Sequence, residues 1–248
     1  MTQQLAAPVE VRVGGAVATV TVGTGQRCNA LGNEAWRRLD REFTALSVRS
    51  SLRVVVVRGA GASFCAGSDM TEWSTAGPAD VEESFALMES SFRAIEACPV
   101  PVIAEIRGSA AGAGCQLALA CDLRVMAESG RIGMPIARLG ILSSPAFAAR
   151  MAQLVGPEMT RELLYTGRLL DAGQAVTARM VGAAVPEAEL TTYVEGLVEN
   201  IACQPPTTIR AAKHAVTAAI EKIPRHSPGP TVCFPDFQRG VASFLGRR

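Results

Sequence analysis

Two glycine-rich stretches, "GAGASFCAGSD" (59–69) and "GSAAGAGCQ" (108–116), carry most of the chemistry this chain could perform. Each follows an apolar run, "LRVVVVRG" (52–59) or "VPVIAEIRG" (100–108), that reads as a buried strand. A glycine turn leaving such a strand can present backbone N–H groups to an anion. Neither stretch completes a nucleotide motif. Phe64 stands where a dinucleotide fingerprint needs its third glycine, and the second stretch lacks the Lys-Ser/Thr of a phosphate loop. The plainer use of both is a tight strand-to-helix turn. Gln116 closes the second stretch, and its amide can orient a water or a carbonyl but cannot trade a proton near neutral pH.

Few acids are placed to help. Asp69 and Glu72 follow the first stretch, and Asp69 suits a helix cap. Glu105 and Arg107 alternate onto one strand face, so they are expected to pair with each other. Glu128 is expected in solvent. Glu89 lies on a helix between the two stretches and is a minor candidate for touching a ligand. No carboxylate occurs from Ile132 to Val155, where Ser143 and Ser144 precede Pro145 as a candidate helix cap. The two histidines, His214 and His226, form no ligand-like cluster, so no metal is expected. Seven cysteines without a CxxC pair read as reduced thiols in a cytoplasmic protein.

The elements that must position these groups alternate between strand and helix. "VEVRV" and "VATVTV" open the chain as two strands. A helix runs from Asn33 with Ala35, Trp36, Leu39, Phe43 and Leu46 on one face, another covers about 80–98, and "LRVM" (123–126) is a short strand. Beyond about residue 165 strand signals disappear. "LLDAGQAVTARMVG" reads as a helix capped by Asp171 and stopped at Gly182, followed by helices over 187–203, 207–222 and 236–246, with "RHSPGP" (225–230) as a loop. The reading is an α/β core over 1–190 and a helical region over 191–248. A net charge of +1 with no basic block excludes nucleic acid as a first partner, and no apolar run is long enough to span a bilayer. The N-terminus lacks the pattern of a signal peptide.

"FCAGSDMTEW" (64–73), "IRGSAAGAGCQLALACDLRVMAE" (106–128) and "PIARLGI" (135–141) together resemble the enoyl-CoA hydratase/isomerase (crotonase) superfamily. "NAL" (29–31), "LLYTGRLLDAGQAVTARMVGAAV" (163–185) and "DFQRGVASFLGRR" (236–248) extend the resemblance over nearly the whole chain. It implies a crotonase-like spiral of ββα units with a C-terminal helical region that mediates trimerisation. It also implies an acyl-CoA thioester whose oxygen accepts from two backbone amides, here Ser68 and Ala113, and no cofactor beyond the CoA of the substrate. Alanine at 113, where relatives usually carry glycine, keeps the amide. Hydratases of the family place one glutamate after the second glycine turn and another in a "PE" step, and these positions hold Gln116 and Ile136.

By the same resemblance Arg27, Cys28 and Ala30 lie along the nucleotide and pantetheine, with Lys213 and Phe237 as weaker candidates. Ala66, Asp69, Met70, Gly112, Ile136, Ser143 and Ser144 complete the expected substrate-contacting set. The expectation is an acyl-CoA enzyme, a trimer or dimer of trimers, that stabilises an enolate without the glutamate pair. Decarboxylation, isomerisation or hydrolysis then suits it better than hydration. The alternatives are a non-catalytic acyl-CoA carrier or sensor and, against the intact loops, a purely structural subunit.

Overall fold

The computed structural model describes residues 8–220, 232 and 234–246. Strands β1 (Val9–Gly14) and β2 (Val17–Val22) pair antiparallel, and β3 (Val54–Gly59), β4 (Val102–Ile106), β6 (Leu123–Ala127) and β9 (Ala183–Val185) extend the sheet in parallel. Both faces are covered, which is why β3 and β4 read as unbroken apolar runs. Val55, Val57, Val102, Ala104 and Ile106 face the main core, while Val54, Val56, Ile103, Val125 and Ala127 face a second layer. That second layer is closed by α7 (Leu190–Ala202) through Leu190, Val194 and Val198.

On the main face lie α1 (Asn33–Ser47) and α3 (Pro78–Glu96). The α1 stripe of Ala35, Trp36, Leu39, Phe43 and Leu46 is buried as its spacing predicts. The short helix α2 (Met70–Trp73) precedes α3, and α4 (Ala113–Ala120) follows β5 (Ser109–Ala111). With β7 (Arg131–Gly133) and β8 (Leu170–Asp171), β5 makes a small second sheet. Two isolated parallel bridges, Leu31 to Ser68 and Cys65 to Ala110, tie the glycine loops to one another and to the end of the first crossover.

Three expectations are corrected. Strands do occur beyond residue 165, as β8 and β9. Both have three residues or fewer, too short for a periodic signal, and pairing with β7 and β6 creates them. The helix capped by Asp171 is α6 (Ala172–Thr177), which ends well before Gly182 because Arg179 takes a φ of +60°. Asp171 does cap it, accepting from the Gln174 amide at 2.9 Å. Glu105 and Arg107 do not pair with each other. Glu105 accepts from the Thr191 hydroxyl at 2.9 Å and Arg107 faces Glu187 at 3.6 Å, because α7 and the turn before it supply nearer partners.

The tail helices are α8 (Pro206–Ile220), which buries none of its residues, and α9 (Phe234–Leu245), which buries Phe237 and Val241. His226, Cys233 and the 225–230 loop lie outside the described residues.

A buried cation joins α3 to α5 (Pro145–Thr166). The Arg150 guanidinium, 2% exposed, donates to both Glu89 carboxylate oxygens at 2.8 Å and to Glu96 at 2.7 Å. It also lies 5.3 Å from the centroid of the Phe92 ring. Burial pushes the Glu89 carboxyl up, but the hydrogen bonds and charge of Arg150, helped by Arg93, outweigh it and hold Glu89 below its ordinary value of 4.5. A depressed folded-state pKa contributes stability above the unfolded value that is lost as pH falls through the folded one. Urea midpoints of the wild type should therefore fall below about pH 4.5, and Glu89→Gln should flatten that decline. Arg150→Met, which removes the buried guanidinium that Glu89 and Glu96 share, should cost about 3–5 kcal/mol at neutral pH.

Candidate active site at the two glycine loops

The first loop reaches the second at Gly67. This residue has a φ of +101°, and a Cβ there would lie 2.8 Å from the Ala111 carbonyl oxygen and 3.2 Å from the Ala113 nitrogen. A side chain is excluded on both counts. Gly114 is held as closely, since its Cβ would sit 2.0 Å from the Cys65 carbonyl oxygen. Backbone thus packs directly on backbone, which only these glycines permit.

That contact selects which amides remain for a ligand. The Leu31 amide donates to the Gly67 carbonyl at 2.8 Å and the Asp69 amide to the Leu31 carbonyl at 3.0 Å. In such a parallel bridge the intervening residue turns its own N–H the other way, so the Ser68 amide faces away from Leu31. The Ala66 amide is spent on the Cys28 carbonyl at 2.9 Å and the Gly112 amide on the Gly133 carbonyl at 3.0 Å. Ala113 is the first residue of α4, where an amide has no intrahelical acceptor and the helix dipole favours negative charge. Ser68 thus follows, and Ala113 borders, the glycine at which the two loops touch. At the far end of α4, buried Arg124 donates to the carbonyls of Cys121 at 2.5 Å and Met180 at 2.9 Å, completing the helix with a cation.

The side chains near the two amides are mostly committed. Ser68 donates its hydroxyl to the Met88 sulfur at 3.1 Å. Asp69 caps α2, accepting from the Thr71 amide at 3.0 Å, and pairs with Arg27 at 2.7 Å. Met70 begins α2 and packs on the core. Ser144 caps α5 by accepting from the Phe147 amide at 3.2 Å, and Ser143 beside it is exposed. Ile136 is buried in the turn Pro135–Leu139. Gln116 is wholly buried, donating from Nε2 to the Phe147 carbonyl at 3.3 Å and, more weakly, to the Met134 sulfur at 3.7 Å. Its Oε1 has no hydrogen-bond partner among the described residues. The Cys65 and Cys115 thiols, beside the loops, are pushed up to about 12 by burial, so neither is a nucleophile at neutral pH. Glu89 is held by Arg150, and the described residues include no cluster fit to hold a metal ion.

On the outer side an open cleft of about 610 Å³ is lined by Gln26, Arg27, Ala30, Glu34, Asp69 and Glu72 among others. The turn beneath it is unusual: Arg27, Cys28 and Asn29 take φ of +47°, +51° and +58° in succession. Left-handed non-glycine residues cost about 1–2 kcal/mol each. Asn29 offsets that cost. Its buried amide donates to the carbonyls of Ala60 at 2.8 Å and Ser63 at 2.6 Å, while Oδ1 accepts from the Gly25 amide at 2.8 Å. Arg27 is then carried to the cleft, where it meets Asp69 and Thr71. Ala30, half-buried, lines the same cleft, and Cys28, next to Arg27 in the turn, is exposed. Lys213 lies elsewhere, paired with Asp122 at 2.7 Å, and Phe237 is buried with its ring 5.1 Å from Trp73.

A largely parallel sheet carrying two glycine loops in direct backbone contact defines the scaffold. The chain belongs to the enoyl-CoA hydratase/isomerase family, the crotonase superfamily, whose sequence profile matches residues 12–227. Members of this family are enzymes acting on CoA thioesters. YngF of Bacillus subtilis is 32% identical over 240 residues, 94% of this chain and 92% of that protein. The crotonyl-CoA hydratase of Syntrophomonas wolfei is 29% identical over 240 residues, with the same coverage of 94% and 92%. An enoyl-CoA hydratase/carnithine racemase structure from Magnetospirillum magneticum superposes with a TM-score of 0.84 at 31% identity, covering 98% of this chain and 94% of that one.

Sequence reading missed Asn29 as a clamp, Met88 and Phe147 as neighbours of the site residues, and Arg150 as the group that removes Glu89. The one available signal for Arg150 was a single charge within the apolar run "PAFAARMAQLV" (145–155). Asn29→Ala should destabilise the fold by about 2–3 kcal/mol, read as a lower urea midpoint, because it strands buried backbone groups and releases the left-handed turn. Asn29→Asp, which keeps the acceptor but loses the donors, should recover only part of that loss.

Proposed function

We propose that the protein binds an acyl-CoA thioester, places the thioester oxygen on the Ser68 and Ala113 amides, and stabilises the enolate that forms. The observation that supports this reading is the close approach of Gly67, next to Ser68, to Ala111 and Ala113, while the neighbouring Ala66 and Gly112 amides are spent on the scaffold. Donors aimed at a developing oxyanion are worth about 10²–10³ in rate each. Arg27, with Cys28 and Ala30 at the cleft rim, suits the nucleotide and pantetheine. The set Ala66, Asp69, Met70, Gly112, Ile136, Ser143 and Ser144 borders the acyl path, with Asp69 and Ser144 acting through the caps they form. Gln116 holds and does not titrate.

Hydration needs one group to deprotonate water and another to protonate the α-carbon. Gln116 and Ile136 supply neither, Glu89 is bound to Arg150, and Asp69 is bound to Arg27. Although relatives carry hydratase names, this chain is better suited to reactions that generate or use the enolate without that pair. In decarboxylation the C–CO₂ bond breaks and its electron pair becomes the enolate, so no protein base is required. Isomerisation or thioester hydrolysis fits if substrate or water moves the proton. The same amide-and-alkyl lining favours a second reading, a non-catalytic acyl-CoA carrier or sensor. The protein is read as cytoplasmic, without nucleic acid or membrane partners. It is read as self-associating into a trimer or dimer of trimers, with the unburied α8, bearing exposed Val216 and Ile220, as supporting surface.

Mass spectrometry of a panel of CoA thioesters separates the reactions, and an unchanged panel with clear binding by calorimetry selects the carrier. Crotonyl-CoA hydration, followed by loss of enoyl absorbance, should stay near background. Gln116→Glu alone should change it little, whereas Gln116→Glu with Ile136→Glu should raise it about 10²-fold or more. Ordinary hydratase rates in the wild type would overturn the reading.

A further inference from the structure

The end of the main sheet remote from the glycine loops brings two arginines together without a carboxylate. Arg53 immediately precedes β3, and Arg210 lies one turn into α8. Arg53 Nη1 and Arg210 Nη2 both donate to the Ser50 carbonyl, each at 3.4 Å. Arg210 Nε is buried and has no hydrogen-bond partner among the described residues. Neither guanidinium forms an ion pair among those residues. Lys213, one turn further along α8, takes the Asp122 carboxylate for itself at 2.7 Å. Other enclosed arginines are answered by acids: Arg150 by Glu89 and Glu96, Arg27 by Asp69.

The two arginines line a pocket of about 200 Å³ whose other walls include Leu52, Val100, Ile201, Pro206 and Ile209. No acidic residue lines it. Two like charges drawn to one carbonyl repel each other, and apolar walls reduce the screening that relieves them. One neutral oxygen, at the long limit of hydrogen bonding from each, offsets little of this. The pocket also opens at the start of α8, where the helix dipole adds to the positive potential.

We propose that this pocket is an anion site, separate from the thioester site, and that it binds a phosphate group. Arg210 Nε and Nη2 lie along one edge of the guanidinium, the fork that takes two oxygens of one anion, and Arg53 supplies a donor for a third. Two guanidiniums match a dianion with three acceptor oxygens better than a carboxylate with two. The glycine loops leave the C-terminal ends of β3 and β4, whereas Leu52, Arg53 and Val100 precede those strands. The six residues of β3 place the two ends about 20 Å apart, so a phosphate here touches neither the paired loops nor Arg27. Its effect is mechanical: it clamps α8, which buries none of its residues, to the start of β3.

The test titrates inorganic phosphate and methyl phosphate into the full chain by calorimetry, with acetate as the carboxylate control and ionic strength held constant with chloride. The wild type should bind phosphate saturably and melt at a higher temperature with it. Arg210→Gln and Arg53→Gln, checked for folding by circular dichroism, should each weaken binding about tenfold or more. Arg210→Lys, which keeps the charge but not the fork, should not restore it, and Arg27→Gln should leave it unchanged. Without any substitution, phosphate should slow amide hydrogen exchange in the first turns of α8. Methyl phosphate binding as tightly as phosphate assigns the site to phosphomonoesters, and much weaker binding assigns it to the free ion. No saturable phosphate binding, acetate binding as tightly as phosphate, affinity that survives in Arg210→Gln, or unchanged exchange in α8 would overturn the proposal. None of these results bears on the acyl-CoA reading, which thioester binding tests separately.

Discussion

The approach of the Gly67 backbone to Ala111 and Ala113 is the constraint on which the rest of this molecule is arranged. Two loops from successive crossovers meet without side chains between them, and the contact is too close to admit even a methyl group. Everything around it serves to bring the loops there. β3 and β4 deliver them from adjacent positions in the sheet, the bridges at Leu31 and Cys65 fix their register, and α4 starts where the second loop ends. For the function proposed above, the consequence is electrostatic. Amides fixed by the covalent backbone need no reorganisation when charge develops, and a site built from them tolerates changes in nearly every adjacent side chain.

That tolerance explains how the site can keep its geometry while its ionisable groups are absent or occupied. Each carboxylate near the loops is used in holding the frame: Asp69 as a cap and ion pair, Glu72 on the Asn33 amide at 2.9 Å, Glu89 on Arg150. The Cys65 and Cys115 thiols are buried and protonated. Gln116, by contrast, is a neutral side chain buried against the Met134 sulfur and the Phe147 carbonyl.

Much of this was legible from local signals. Continuous β-branched runs gave β3 and β4, spacing gave the α1 stripe, and the residues after each loop announced the caps at Asp69, Asp171 and Ser144. The loops themselves were legible because glycine composition reflects backbone sterics, which are local. What was not legible depends on distant partners. Arg150 meets carboxylates 54 and 61 positions away, and β9 exists only through pairing with β6. Alternation put Glu105 and Arg107 on one strand face but could not name Thr191 and Glu187 as their partners. The empty acceptor of Gln116 likewise follows from Phe147, 31 positions on.

The left-handed turn at Arg27–Asn29 has an evolutionary consequence. It lines the outer cleft, and through Cys28, Asn29 and Leu31 it also anchors the first glycine loop. Residues there answer to two selections at once, and drift that alters what the cleft holds also loosens the frame. The interior around Gln116 and Ile136 carries a lighter duty, since the Gln116 side chain holds only the Phe147 carbonyl and the Met134 sulfur. New specificities are therefore expected to arise by substitution in that interior, with the outer handle retained as a fixed adaptor across divergent descendants.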